Sequence, residues 1–257
     1  MERTIGIMGA MTEEIQDIVE LLTERQEKQQ GKRIYYSGKL YGINTVVVFS
    51  RWGKVAAATT ITHLILEFKI TELIFTGVAG AVDHRLNIGD IVIAERLVQH
   101  DMDARPLMER FVIPLLGMTF FESTKARIQL AKTAVKELLE NKHLHSVIDA
   151  TDMSKFGITA PKVFTGDIAS GDKFFSGTDE KNRLQELLPS VLCVEMEGAA
   201  VAQVCYEYGI PFIVLRTISD AADEKSEFDF PLFIKRIAKK YAAEIIKIIY
   251  THIHADE

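Results

Sequence analysis

The sequence predicts an α/β fold whose central sheet is covered by helices on both faces, and three observations carry that expectation. Short apolar runs alternate with longer amphipathic segments almost throughout the 257 residues. Runs such as Leu73-Ile74-Phe75 and Phe212-Ile213-Val214-Leu215 are continuously apolar rather than alternating, as in strands buried on both sides. Hydrophobic residues make up 47% of the chain, enough for a sizeable core, and no repeat, low-complexity tract or Ser/Pro/Gly-rich linker divides it. Residues 1–257 are therefore expected to form one domain.

Each element follows from its own pattern. TIGIMGAM, residues 4–11, reads as a buried strand ending in a glycine-containing turn. TEEIQDIVELLTE follows with Ile15, Ile18, Val19 and Leu22 at helical spacing, and Thr12 is placed to cap that helix. RIYYSGKL and NTVVVFS, separated by Tyr41-Gly42-Ile43, read as a hairpin. In KVAAATTITHLILEF the residues Ile61, Leu64, Ile65 and Phe68 share one helical face, and His63 is a packing residue there. Further strands fall at ELIFTGVAG, GDIVIAERLVQ, KVFTGDIAS, VLCVEME and PFIVLRTIS, with helices at 123–140, 197–208 and 230–250. The closing THIHADE, with His252 and His254, is expected to fray. Residues 104–122, ARPLMERFVIPLLGMTFFE, break the alternation, because two prolines and a glycine interrupt large apolar side chains. They read either as an irregular strand in the same core or as an apolar loop that covers a pocket or meets a second subunit.

The totals exclude several classes. Lys and Arg number 30 against 36 Asp and Glu, a formal charge of -6, which disfavours a nucleic-acid partner. Cys193 and Cys205 lack CxxC spacing and read as small core hydrophobes in a reducing compartment. The start MERTIGIMGAMTEEI has no apolar targeting core, and no run is long enough to span a bilayer, so a cytoplasmic location is expected. His100-Asp101-Met102-Asp103 is a poor metal cluster, since neighbours on a strand point to opposite faces. IGIMGAM lacks GxGxxG, against a dinucleotide-dependent oxidoreductase.

In open α/β sheets ligands bind beyond the carboxyl ends of the strands. Met11, Glu13 and Glu14 stand after the first strand, and Gly77-Val78-Ala79-Gly80 closes ELIFTGVAG. Ser170-Gly171-Asp172 and Phe174-Phe175 follow KVFTGDIAS, Met196-Glu197 follows VLCVE, and Arg216, Ser219 and Asp220 end the last strand. Several carboxylates, one arginine and many apolar groups suit a flat, neutral ligand bearing a few hydroxyls. Two carboxylates inside LCVEMEGAAVAQVC call for partners or a ligand, since a buried charge is costly. Glu197 is placed where a helix begins and its amides favour an anion, whereas Glu195 is expected on the other side of the strand, without a role. A buried Arg216 needs a carboxylate partner in any case.

GIMGAMTEEI, FTGVAGAVD, ASGDKFF, VEMEGAAVA and VLRTISDAAD, in that order and at similar separations, resemble the 5'-methylthioadenosine/S-adenosylhomocysteine nucleosidases over nearly the whole chain. The resemblance implies a three-layer nucleoside phosphorylase-like fold with a twisted mixed central sheet between helices, a homodimer, and hydrolysis of the N-glycosidic bond of adenine thionucleosides without cofactor or metal. It implies that Glu14 positions and deprotonates the attacking water, Asp220 protonates adenine N7, and Glu197 with Met196 holds the ribose. Arg216 matches a residue beside the water and the carboxylates. Phe174 and Phe175 match the adenine site, with Met11, Val78, Ala79, Gly80, Ser219 and Phe230 around it. Trp52, Leu107 and Pro114 match positions near the sugar and its 5' substituent, Pro114 by way of a partner subunit. Trp52 is larger than the aliphatic residue common there, Val78 stands where many members have serine, and Ala104 and Leu107 replace bulkier residues. These departures bear on the 5' substituent rather than on the bond cleaved.

The chemistry of glycoside cleavage agrees with this assignment. An oxocarbenium-like transition state needs a leaving group made less basic, a positioned water and negative charge near the sugar. A phosphorylase of the same fold would need cationic groups for phosphate, but Phe75 and Val78 stand where kindred phosphorylases place Arg and Ser, and Glu14 would repel the anion. A non-catalytic nucleoside binder would be expected to have lost an acid or base, and all three acids are present.

Overall fold

A computed structural model describes residues 2–220, 222 and 230–255. Their order is β1 (Thr4–Gly9), α1 (Thr12–Glu20), β2 (Thr23–Gln30), β3 (Arg33–Leu40), β4 (Ile43–Phe49), α2 (Lys54–Phe68), β5 (Glu72–Ala81), β6 (Ile91–Gln99) and β7 (Phe120–Glu122). There follow α3 (Lys125–Leu139), α4 (Asn141–Val147), α5 (Ala150–Lys155), β8 (Val163–Ser170), α6 (Thr178–Leu187), β9 (Val191–Glu195), α7 (Gly198–Tyr208) and β10 (Phe212–Asp220). α8 (Phe230–Phe233) runs through a π turn, Ile234–Ala238, into α9 (Lys239–Ala255).

The strands build one mixed sheet between helical layers, as expected. Alternate residues of its central strands feed two cores, because side chains of a strand point to opposite faces. Ile5 and Ile7 of β1, Ile74 of β5, and Ile213 and Leu215 of β10 join α1, α3 and α9 in one core. Met8, Phe75 and Val214 join α2 and α7 in the other. β1 lies parallel to β4 and β5, and β5 is parallel to β10. The sheet is not open, however. β10 pairs antiparallel with β6, β6 parallel with β8, β8 parallel with β9, and β9 antiparallel with β5, so these five strands close a circuit. In that closure Gly80 of β5 faces Val194 of β9. The carboxyl ends of two opposed strands therefore meet, which an open parallel sheet would not achieve.

Several elements depart from expectation. Residues 23–30 form the edge strand β2 rather than the end of a helix, and β7, α4, α5 and α6 were not anticipated. Met11, not Thr12, is the N-cap of α1; Thr12 is its first helical residue. The C-terminal segment stays helical to Ala255, held by His252 on Glu137 at 3.0 Å and by His254 on the Tyr41 carbonyl, while Asp256 and Glu257 lie outside the described residues. His63 packs between Tyr35 and Phe68 and bonds Gln30, as a packing residue should. Segment 104–122 is part buried and part exposed: Phe111 and Ile113 belong to the core, whereas Leu107 and Leu115 are 90% and 99% exposed. Both cysteines are free and buried. No helix among the described residues is long and apolar enough to cross a membrane.

Candidate active site

The carboxyl ends of β1, β5, β9 and β10 and the loop after β8 surround a cavity. Met11 and Glu14 enter it from the start of α1, Trp52 from the loop before α2, and Val78, Ala79 and Gly80 from β5. Phe174 and Phe175 enter after β8, Met196 and Glu197 after β9, Arg216, Ser219 and Asp220 from β10, and Phe230 from α8. Fourteen of the sixteen expected residues thus share one wall. Leu107 and Pro114 do not line it: the excursion between β6 and β7 carries both outward as exposed residues, so this chain's own cavity receives neither.

Glu14 is 2% exposed. Its Oε2 accepts the backbone N–H groups of Ala10 at 2.6 Å and Met11 at 3.0 Å, satisfying the donors that open α1. Oε1 has no protein partner. It lies against Gly77, where a Cβ would come within 3.0 Å of it and 3.5 Å of the Arg216 guanidinium; glycine at this position permits that approach. Burial raises the Glu14 carboxyl to about 7, against the opposing pull of Arg216 and the amides of Met11, Ala10 and Val78. Such a group can hold or release a proton near neutrality.

Glu195 corrects the sequence reading most sharply. It lines the cavity and is the counterion of Arg216, with Oε2 at 2.7 Å from Nη2 and 3.3 Å from Nε. Its carboxylate also accepts the N–H groups of Glu197 at 3.1 Å and Gly198 at 2.8 Å, together with the Ser170 hydroxyl. Ser170 Oγ in turn accepts the Ala199 N–H at 2.7 Å. The anion at the start of α7 is therefore Glu195, not Glu197. Residues two apart along an extended chain share a face, so alternation itself puts Glu195 on the side of Glu197 rather than opposite it. The signal was available in the sequence: a buried arginine beside a carboxylate that had no other use.

Glu197 instead turns to the loop before α2, where its Oε1 accepts the Gly53 N–H at 2.8 Å. Burial raises its carboxyl above the usual range, and Glu195 adds to the shift. Arg216 is 1% exposed; Nη1 donates to the carbonyls of Leu215 at 3.0 Å and Phe75 at 3.3 Å, and its plane lies 4.1 Å from the Phe75 ring. Asp220 accepts from Ser219 Oγ at 2.6 Å and the Ala222 N–H at 2.8 Å. Phe174 meets Phe230 edge-on at 5.9 Å. The cavity thus has an apolar, aromatic side near Asp220 and a carboxylate-rich side built on Glu14, Glu195 and Glu197.

Comparison with known proteins bears on this arrangement. The family model of the phosphorylase superfamily matches residues 4–250. The 5'-methylthioadenosine/S-adenosylhomocysteine nucleosidase of Staphylococcus aureus (strain JH9) is 34% identical over 235 residues, 91% of this chain and 93% of its own. The chain belongs to the 5'-methylthioadenosine/S-adenosylhomocysteine nucleosidases of the phosphorylase superfamily. Among solved nucleosidases, the Streptococcus pyogenes S-adenosylhomocysteine nucleosidase in complex with 5-methylthiotubericidin superposes with a TM-score of 0.84 at 32% identity, over 98% of each chain. The futalosine hydrolase of Helicobacter pylori strain 26695 superposes with a TM-score of 0.82 at 33% identity, over 97% of this chain and 98% of its own. Likeness to both places nucleosidases of different names on this fold. Beyond the expected residues, Ala10, Lys173, Val194 and Glu195 also line this nucleosidase cavity.

Proposed function

We propose that the protein hydrolyses the N-glycosidic bond of 5'-methylthioadenosine and S-adenosylhomocysteine, and of 5'-deoxyadenosine, releasing adenine and the 5-substituted ribose. The observation that supports this most directly is the meeting of Glu14, Glu197 and Asp220, distant in sequence, in one cavity with an apolar wall. Adenine lies between Phe174, Phe175 and the β5 backbone, with N7 toward Asp220. Glu197, with Met196, takes the ribose hydroxyls. Water bonded to the unpartnered Oε1 of Glu14 attacks the anomeric carbon, and Glu14 takes its proton. The bond to N9 breaks, its electron pair passes to the base, and Asp220 supplies a proton at N7 so that adenine departs neutral. Arg216, neutralised by Glu195, orients the carboxylates without leaving a free cation to hold phosphate.

The whole chain acts as one cytoplasmic domain in this proposal and works as a homodimer, in which Leu107 and Pro114 reach toward the partner's 5' subsite. Adenine release from purified protein, measured on a panel of 5'-substituted adenosines with and without phosphate, tests the reading. Phosphate-independent release is expected, with Asp220→Asn slower by about a hundredfold or more. Release that requires phosphate, or an Asp220→Asn variant as active as wild type, would overturn it.

A further inference from the structure

Two segments of the cavity wall, the loop before α2 and the loop after β8, are fastened to each other and to the end of β6 by a closed ring of polar contacts that lies outside the cavity. Lys54, the first residue of α2, donates its backbone N–H to Asp172 Oδ1 at 2.7 Å. Asp172, in the loop after β8, donates its own backbone N–H to Asp101 Oδ2 at 3.0 Å. Asp101, beyond the end of β6, closes the ring by accepting the Lys54 ammonium on Oδ1 at 2.6 Å. Lys54 Nζ also reaches Gln99 Oε1 at 3.1 Å. The Lys54 and Asp101 side chains are 17% and 32% exposed, so their pair is shielded beyond what an ordinary surface ion pair enjoys.

None of these three residues lines the cavity, yet Lys54 and Asp172 each stand beside a wall segment and Asp101 links the two. Gly53, which precedes Lys54, gives its N–H to Glu197, and Phe174 stands two residues after Asp172. The loop before α2 holds Arg51 at φ 71°, a left-handed conformation that a residue other than glycine keeps only where the surroundings fix it, and Gly53 at φ 91°, which glycine adopts freely. A Cβ on Gly53 would come within 3.0 Å of Asp172 Oδ1, so the two segments are packed as well as bonded. Beside the ring, His100 packs edge-on against Phe175 at 5.1 Å and occupies the space that a Cβ on Gly171 would need.

We propose that Lys54, Asp101 and Asp172 are positioning residues that hold the sugar side and the base side of the cavity in register, so that both halves of a nucleoside meet one preformed site. The inference rests on the nucleosidase reading, and it places the effect in binding rather than in bond cleavage, since none of the three touches the reacting atoms.

Trp52 lines the cavity and is the chain's single tryptophan, so its fluorescence reports adenine binding without turnover. Asp101→Asn removes the charge that Lys54 faces, and Asp172→Ala removes the acceptor for the Lys54 N–H. Each is expected to raise KM for methylthioadenosine and Kd for adenine about tenfold, the scale of a charge-assisted hydrogen bond, while kcat stays within about twofold. Lys54→Met, which keeps both backbone donors, takes the place of either variant that fails to fold. Combining Lys54→Met with Asp101→Asn should weaken binding no further than the worse single change, because both open the same contact. Folded variants with unchanged KM and Kd, or with kcat reduced at constant KM, overturn the proposal. Wild-type protein that binds adenine yet releases none from nucleosides defeats the activity and leaves the ring to be judged by Kd; protein that binds no adenine defeats both.

Discussion

Glu14 concentrates the site's acid–base behaviour in one carboxyl. Its pKa rises from 4.5 to about 7 on folding through burial, so between those values the native state holds a proton that the unfolded chain has released. Stability associated with this group is therefore complete below about pH 4.5 and is lost as pH rises through about 7. The shift corresponds to about 3 kcal/mol as an upper bound. Glu14→Gln is expected to melt higher than wild type at pH 8, with the difference vanishing toward pH 5, and to lose about a hundredfold or more in kcat/KM. For wild type, kcat/KM should climb through about pH 7 as Glu14 ionises, over a broad range because Glu197 titrates beside it. Thermal melts and rates across pH check both; a variant no more stable at pH 8 than at pH 5, relative to wild type, contradicts the assignment. That the three acids meet was legible mainly through the resemblance of their motifs, since Glu14 alone reads as an ordinary first-turn acid and Asp220 as a cap or turn residue. The place of Glu195 was legible from spacing, since it stands two residues before Glu197 and residues two apart along a strand share a face.

At the scale of elements, the β9–α7 junction is the part on which the rest depends. Glu195 binds Arg216 of β10, Ser170 of β8 and the first amides of α7, so one carboxylate joins three strands' ends to a helix start. Removing it would leave a guanidinium 1% exposed without its counterion. Glu195→Ala is expected to destabilise the protein by about 3–5 kcal/mol, measured by urea unfolding. A loss below about 1 kcal/mol would mean that Arg216 finds another partner. Elements with a clear period, such as α2 and the β3–β4 hairpin, were readable to within a residue or so. β2 was not, because Thr23–Gln30 is a polar, exposed edge strand with no buried face to impose alternation. α6 escaped for a related reason: Leu184 is its only buried side chain.

The whole molecule adds what no local pattern contains, namely which strands pair and what covers the outer surface. Periodicity announced a sheet with two covered faces, but the closure of β5, β10, β6, β8 and β9 depends on long-range partners. The surface argument concerns apolar groups that the fold leaves outside. Leu115, Leu107, Val55 and Trp52 are 99%, 90%, 79% and 61% exposed. Trp52 and Val55 flank the start of α2, which Asp101 holds to the end of β6, and Leu107 lies six residues beyond Asp101 in the chain. Full burial of one such leucine side chain is worth about 2–3 kcal/mol, so large apolar groups left this exposed suit an association surface. In the proposed homodimer a second copy of the chain would cover such groups, each protomer's 104–122 excursion closing over the other's cavity. Sedimentation equilibrium over a dilution series is expected to return twice the chain mass. Leu115→Glu should shift the equilibrium toward monomer and raise KM for methylthioadenosine, with Leu107→Ala acting mainly on KM for the larger 5' substituents. Wild-type protein that sediments as a monomer with full activity would show that the cavity needs no partner and that the exposed leucines serve another contact.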